Sequence, residues 1–189
     1  MSGAEELRIA YGDHETVREV IDVVTYSLEG ISLAFDAWDE PQVRGPGLYV
    51  VIVAGTTVAD YADPMGGNRW PVAECPTVTD DLDAFYDAAQ DVAYACDGAV
   101  VVSVDGNVLE QMVRMKDLTD EERAAAGDGL SYADWMGARH MSALDTSVRE
   151  EVVAAVTLSE ESGRVTRFVD GAYDDAPRES LGGPWRPEN

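Results

Sequence analysis

An unbroken apolar run, Leu48 to Gly55 (LYVVIVAG), decides the fold class of this chain. The run is rich in β-branched side chains, and the segment before it, Asp39 to Gly47 (DEPQVRGPG), contains prolines and glycines that cannot continue a helix. A strand that is apolar on both faces has to be covered on both faces, and helices provide that cover in layered proteins. The run therefore predicts an α/β fold in which helices flank a central sheet.

Two amphipathic helices are predicted in the first half of the chain. From Asp13 to about Trp38, apolar residues recur at spacings of three and four, and Asp13 is the expected N-cap. The second helix is predicted from Thr79 to Ala95, with Thr79 as its cap and acidic residues in the first turn, where the helix dipole favours them. These helices are the expected covers of the apolar strand.

A hairpin predicts that the sheet is mixed. Asp105-Gly106 lies between two β-branched runs, which is a strong signal for antiparallel neighbours. We expect one domain over residues 1–172, followed by a Pro- and Gly-rich tail over 173–189 that forms a surface arm or is disordered. The other predicted elements are strands over 99–104, 108–115, 151–159 and 164–169, a short helix within 116–130 opened by Thr119, and a mostly helical segment over 131–143.

The charge of the chain is strongly negative, with 37 acidic residues against 13 basic ones and a formal net charge of −24. Such a surface repels itself unless salt screens it. We interpret the charge as adaptation to a cytoplasm at molar salt, as in a halophilic archaeon, with binding of a basic partner as the alternative. The charge also argues against nucleic acid as a partner, because duplex binding needs a dense basic face.

Cysteine and histidine are too scarce for a zinc-type site. Cys75 and Cys96 are the two cysteines, His14 and His140 are the two histidines, and none of these residues are closely spaced. A disulfide between the two cysteines remains open at this point. No signal-peptide pattern and no apolar run long enough to span a bilayer is present, so we expect a cytoplasmic protein without a membrane partner.

A basic pair, Arg139-His140, stands out in this acidic chain and indicates that an anion docks there. The pair lies within Gly137 to Ser147 (GARHMSALDTS). Taken alone, these residues also have simpler interpretations. Arg139 can pair with any nearby carboxylate, His140 can be an interior histidine, and Asp97-Gly98 can be a turn between a helix and a strand. Only their combination favours a functional site.

Three short segments, taken in order, resemble the diadenylate cyclase domain, the DisA-type nucleotide-binding fold that makes cyclic di-AMP from two ATP molecules. The family's D-G-A turn matches Asp97-Gly98-Ala99, and its G-T-R-H-R-A-A signature matches Gly137 to Ala143 (GARHMSA). Its S-E-E-[TS]-G turn matches Ser159 to Gly163 (SEESG). The resemblance covers roughly residues 15 to 172 and implies a stand-alone member from a halophilic archaeon.

The resemblance implies a nucleotidyltransferase that condenses two ATP molecules and releases pyrophosphate. Because the two ATP molecules bind to facing subunits in this family, it also implies a homodimer or higher oligomer. An arginine fork and a histidine donor suit phosphate oxygens, and a glycine lets the backbone approach a ribose. The implied residues are Asp97, Arg139 and His140 for catalysis, Gly98, Ala99, Gly137 and Ser159 for substrate binding, and Asp97, Glu160 and Glu161 for Mn²⁺ or Mg²⁺.

The chain departs from the commonest family pattern at two positions that matter for phosphate binding. Ala138 stands where the family has a threonine, and Met141 stands where it has a second arginine, so a hydroxyl and a positive charge are missing. We expect other side chains to replace those contacts, with Arg114 and Arg149 as candidates, and we expect activity to be retained.

Two other functions stay open on the sequence. One is a catalytically inactive module of the same fold that binds or senses a nucleotide. The other is an unrelated hydrolase that uses Ser142 or Ser159 with His140, although the chain contains no G-x-S-x-G pattern.

Overall fold

Seven strands and four α-helices make up the part of the chain that the computed structural model describes, residues 14–67, 69–95 and 97–183. The helices are α1 (Glu15–Ala34), α2 (Leu82–Ala95), α3 (Asp120–Ala126) and α4 (Ala138–Ser147). The strands are β1 (Leu48–Val53), β2 (Ala62–Pro64), β3 (Ala99–Ser103), β4 (Val108–Met115), β5 (Val152–Leu158), β6 (Val165–Val169) and β7 (Ala172–Ala176). Short 3₁₀ turns lie at Gly127–Gly129 and Arg178–Ser180.

The strands form one mixed sheet in the order β2-β4-β3-β1-β5-β6-β7. Strand β1 runs parallel to β3, with Val50 opposite Val100, and antiparallel to β5, with Leu48 opposite Leu158. The other neighbouring pairs are antiparallel. This register places the start of β1, the start of β3 and the end of β5 at one end of the sheet. The predicted α/β class with a mixed central sheet is confirmed.

The two faces of β1 pack into two separate hydrophobic clusters, and every residue of the strand is buried. Leu48, Val50 and Ile52 join a cluster that contains the apolar faces of α1 and α2. The alternate residues of β1 point into a second cluster, which includes Ala143 and Leu144 of α4. The apolar run is thus covered by helices on both sides, as predicted. Among the residues described, no helix combines the length and the apolar character needed to cross a bilayer.

The first two helices form as predicted but begin later. Helix α1 starts at Glu15, and its cap is the side chain of His14, whose Nδ1 accepts a hydrogen bond from the Thr16 backbone N–H at 3.3 Å. The expected cap, Asp13, lies outside the described residues. Helix α2 starts at Leu82 and not at Thr79, because a carboxylate oxygen of Asp81 accepts from the Ala84 backbone N–H at 3.0 Å and takes the capping role.

The segment before α4 differs from its prediction. Residues 131–143 were expected to be mostly helical, but Gly137 is extended, with φ −83° and ψ −179°, and α4 begins only at Ala138. Arg139 and His140 consequently lie in the first turn of α4, where backbone N–H groups point out of the helix. The helix opened by Thr119 is confirmed, with a capping box between Thr119 and Glu122.

The chain beyond residue 172 is not a surface arm as far as residue 183. Strand β7 pairs with β6 along its whole length. Asp170 and Gly171 both have positive φ, at 53° and 73°, and form the hairpin turn between the two strands. The Arg164 guanidinium donates to the Asp175 carboxylate at 2.8 Å and fixes the new strand to β6. The expectation of an arm is therefore wrong for this part of the tail, and residues 184–189 lie outside the described residues.

Candidate functional site

A cleft of about 650 Å³ opens at the end of the sheet where β1 and β3 begin and β5 ends. The three segments singled out from the sequence all line it: Asp97 just before β3, Gly137 and Arg139 at the start of α4, and Ser159 in the turn after β5. The topology explains this meeting, because those ends of neighbouring strands lie side by side. The cleft also contains residues that the sequence analysis did not single out, among them Arg44, Trp135 and Arg164.

Two arginines share two carboxylates in this cleft. The Arg44 Nη2 lies 2.6 Å from Glu160 Oε2 and 3.3 Å from Asp97 Oδ1. The Arg139 guanidinium lies 3.6 Å from the same oxygen of Glu160 and 3.9 Å from the same oxygen of Asp97. The hydrogen bond and the charge of Glu160 raise the pKa of Arg44, which therefore stays cationic. Both guanidinium groups are held at the mouth of the cleft.

The first turn of α4 adds an anion-binding element to the cleft. Gly137 is its N-cap and makes no side-chain capping bond, so the first N–H groups of the helix have no side-chain acceptor at that cap. The positive end of the helix dipole favours an anion at this point. Arg139 follows within the same turn, and its side chain is only 19% exposed. Backbone donors and a guanidinium therefore converge on one place.

His140 is a buried, neutral member of the same turn. Its ring is 5% exposed and packs edge-on against Trp135, with ring centroids 5.1 Å apart. Burial, together with the charges of Arg139 and Arg164, lowers its pKa to about 4. At neutral pH it contributes a hydrogen-bonding group and no positive charge to the cleft. Of the pair that the sequence analysis describes as basic, only Arg139 therefore carries a positive charge at neutral pH.

The burial of His140 makes protein stability depend on pH. Its pKa is about 4 in the folded chain and close to 6.5 in an unfolded one, so the unfolded chain binds more protons between these values. The contribution of neutral His140 is complete above pH 6.5 and is lost as the pH falls toward 4. We expect the protonation of His140 to lower the free energy of unfolding by about 2 kcal/mol as the pH falls from 6.5 to 4. Urea denaturation of the wild type and of His140→Leu measures it, and an equal loss of stability in both proteins would contradict the assignment.

The turn that carries Ser159 is fixed by its own backbone. The Ser159 Oγ accepts hydrogen bonds from the backbone N–H groups of Glu161 and Ser162, both at 3.3 Å. The Nε2 of His140 is buried and has no hydrogen-bond partner among the described residues. The arrangement gives no support to a hydrolase in which this nitrogen activates a serine.

A second, smaller cleft of about 300 Å³ adjoins the first, and both are lined by Ala138 and Arg139. Gly98, Met65 and Met115 lie on its walls. Ala99 was expected to bind substrate, but its side chain is fully buried in the core beneath the sheet and lines neither cleft. Only the backbone of Ala99 can serve that role.

Gly98 is required by both conformation and space. Its φ is +97°, and a Cβ there would lie 2.8 Å from Met65 Sδ and 3.1 Å from the Val113 carbonyl oxygen. We expect Gly98→Ala to lower the free energy of unfolding by about 1–3 kcal/mol in urea denaturation. Gly129→Ala is the matched control, because its added methyl group meets nothing within 4 Å. Equal stability of the two variants would contradict this account.

Of the two arginines proposed as substitutes for the missing family contacts, Arg149 lies away from both clefts and Arg114 lines the smaller one. Arg149 is 6% exposed, donates to Glu122 at 2.9 Å and to the Lys116 carbonyl at 2.9 Å, and lines neither cleft. The proposal is therefore wrong for Arg149, which ties α3 to the start of β5. Arg114 lines the smaller cleft. Arg44 and Arg164 line the larger one.

The carboxylates that the family resemblance assigns to a metal do not form a cage in the described residues. Within that part of the chain, no group of three or more His, Cys, Asp or Glu side chains is close enough to hold an ion. Asp97 and Glu160 instead pair with guanidinium groups, and Glu161 lines the cleft beside them. The residues present thus do not fit a divalent ion held by the protein alone. Cys75 is a buried free thiol that donates to the Thr77 carbonyl oxygen, and Cys96 lies outside the described residues.

Comparison with known proteins gives a likeness of fold. No family model matches the sequence, and no curated protein matches it. A hypothetical membrane spanning protein from Bacillus cereus, solved by structural genomics, has a similar structure, with a TM-score of 0.53 and 17% sequence identity over 80% of this chain and 60% of that one. The match to a double mutant of DacA from Staphylococcus aureus has a TM-score of 0.47 and 15% identity, and covers 86% of this chain and 89% of that one. This chain spans about three-fifths of the length of the Bacillus cereus protein and shares its fold.

Proposed function

We propose that this chain is a diadenylate cyclase that condenses two ATP molecules into cyclic di-AMP and releases two pyrophosphates. One observation carries the proposal: Asp97, Arg139 and Ser159 come from separate parts of the chain and line one cleft. These residues belong to the three segments that resemble the family. If one of these residues faced away from the other two, the three matching segments would not form a single site.

The phosphates of ATP fit the larger cleft. The N-terminal turn of α4 and the Arg139 guanidinium offer donors for phosphate oxygens, and charge-assisted bonds of this kind are stronger than neutral ones. Ser159 lines the same cleft, and its hydroxyl hydrogen can donate to a terminal phosphate. The cleft therefore holds a polyphosphate, although the rest of the chain is strongly acidic.

The nucleoside fits the smaller cleft. Met65 and Met115 provide apolar walls for a base, and the backbone of Gly98 lines the same cleft, where it can lie against a ribose. Since the two clefts meet at Ala138 and Arg139, one ATP spans both. This placement puts the α-phosphate near Arg139, between the base and the terminal phosphates.

The reaction forms a bond between the 3′-oxygen of one ATP and the α-phosphorus of the other, while the bond from that phosphorus to pyrophosphate breaks. In this proposal Asp97 accepts the hydroxyl proton, and Arg139 offsets the negative charge that develops on the phosphate. Each chain presents one ATP, so a second copy of the chain must face the cleft and supply the other nucleotide. Because the protein residues do not form a metal cage, we propose that Mn²⁺ or Mg²⁺ arrives bound to ATP.

A second candidate is a module that binds the nucleotide without turning it over. Ala138 and Met141 in place of the family's threonine and arginine favour this function, as do the arginines that occupy the carboxylates of Asp97 and Glu160. Binding of ATP or cyclic di-AMP without formation of product would distinguish it from the cyclase.

Incubation of the purified protein with ATP and Mn²⁺ tests the proposal, with cyclic di-AMP detected by mass spectrometry. The assay is run at molar KCl, because a net charge of −24 requires screening. The cyclase predicts cyclic di-AMP and pyrophosphate, and it predicts a specific rate that rises with protein concentration as facing copies assemble. Nucleotide binding without product supports the second candidate, and the absence of binding contradicts both.

A further inference from the structure

Arg44 sits over the larger cleft on a loop that the fold holds in place. The loop joins α1 to β1, and its Gly45 backbone N–H donates to the Glu160 carbonyl oxygen at 3.1 Å. Gly47 donates in the same way to the Ala93 carbonyl oxygen at 2.9 Å. The loop is thus bound to the turn after β5 on one side and to the end of α2 on the other, and the turn after β5 lines the larger cleft.

The glycines on either side of Pro46 leave no room for larger residues. A Cβ at Gly45 would overlap the ring of Trp38 and lie 2.8 Å from the Glu160 carbonyl oxygen. A Cβ at Gly47 would overlap the Arg139 guanidinium. The backbone of this loop therefore packs directly against the anion-binding residues. This close approach explains why glycine occupies positions 45 and 47, and it brings Arg44 to the mouth of the cleft.

The side chain of Arg44 is held by two carboxylates and is otherwise exposed to solvent. It is 65% exposed, and the described structure gives it hydrogen bonds to the carboxylates of Glu160 and Asp97. Two oxygens of a phosphate group can accept the same pair of guanidinium hydrogen bonds as a carboxylate, and a polyphosphate carries more negative charge. A polyphosphate entering beside Arg139 can thus exchange with Glu160 as the partner of Arg44.

We propose that Arg44 is a substrate-binding residue that transfers from Glu160 and Asp97 to the polyphosphate of the incoming nucleotide. This inference rests on the proposed function and deepens it. In this role Arg44 supplies the positive charge of the family's second arginine, which is replaced here by Met141. The Met141 side chain lines neither cleft. The transfer also releases the Asp97 carboxylate, which is paired with Arg44 before the nucleotide arrives.

Calorimetric titration with the ATP analogue that carries a methylene group between the α- and β-phosphates tests the proposal, since that analogue cannot release pyrophosphate. The proteins are the wild type, Arg44→Gln, Glu160→Gln and the double variant, each with Mn²⁺ at the same KCl concentration. We expect Arg44→Gln to weaken binding by about 10- to 100-fold. Arg18→Gln is the matched control, because it removes the same charge from an exposed position on α1 and should bind as the wild type does.

The double variant separates direct contact from simple neutralisation of Glu160. If Arg44 contacts phosphate, its loss weakens binding by a similar factor in both backgrounds. The affinity then falls from the wild type to Arg44→Gln by about as much as it falls from Glu160→Gln to the double variant. Wild-type affinity in the double variant would overturn the inference, since Arg44 would then only mask a carboxylate. Equal affinity of Arg44→Gln and the wild type would overturn it as well, while leaving the proposed function intact. Failure of the wild type to bind the analogue would overturn the proposed function and the inference together.

Discussion

Asp97→Asn is expected to lower the rate of cyclic di-AMP formation by about 100- to 10,000-fold, the usual effect of removing a general base. Asparagine keeps the size of the side chain and its hydrogen bonding but cannot accept the proton of the 3′-hydroxyl. The side chain of Asp97 is 66% exposed and lies outside both hydrophobic clusters, so the fold should be unaffected. Mass spectrometry of the product at matched protein concentration measures the effect.

Two controls make the Asp97 result decisive. Urea denaturation should give the same free energy of unfolding for the variant and the wild type, to within about 0.5 kcal/mol. The variant should also still bind the methylene analogue of ATP, because the phosphate donors lie on other residues. Undiminished product from Asp97→Asn would refute the role that we give to this carboxylate.

Arg139→Gln is expected to lower the same rate by about 100- to 1,000-fold. Arg139 lies in the first turn of α4, it pairs with the carboxylates of Asp97 and Glu160, and its side chain is largely shielded from water. In such a setting a guanidinium stabilises developing phosphate charge more strongly than it would in bulk water. Steady-state product formation under saturating ATP measures the loss.

Arg139→Lys is the matched comparison for this second prediction. Lysine keeps the charge but cannot make two parallel hydrogen bonds to a phosphate group. We therefore expect a rate between those of the wild type and Arg139→Gln. A wild-type rate in Arg139→Gln would show that the phosphate is bound elsewhere in the protein.

The fold class followed from local patterns that leave few alternatives. The run from Leu48 to Gly55 had to be covered on both faces, and the structure covers it with α1 and α2 on one side and α4 on the other. The hairpin at Asp105-Gly106 and the helix opened by Thr119 depend on signals within a few residues, and both were predicted. The second hairpin, at Asp170-Gly171, carries the same dipeptide and was missed because the composition of the tail suggested an arm.

The meeting of the motif segments followed from family resemblance, while the detailed chemistry of the site depends on contacts between distant parts of the chain. Arg44 has no local pattern that assigns it to a phosphate, because its partner Glu160 lies 116 positions away. The neutral state of His140 depends on burial against Trp135 and on two neighbouring arginines. The late start of α4 depends on the extended conformation of Gly137, which a helical pattern does not reveal.

The most direct test of the site is a crystal structure of the protein with the methylene analogue of ATP and Mn²⁺. The account predicts phosphate oxygens within hydrogen-bond distance of the Arg139 guanidinium and of the backbone N–H groups that open α4. It also predicts the base between Met65 and Met115, with the ribose beside Gly98. A nucleotide bound at another surface, with the cleft between Asp97 and Ser159 free of phosphate, would contradict it.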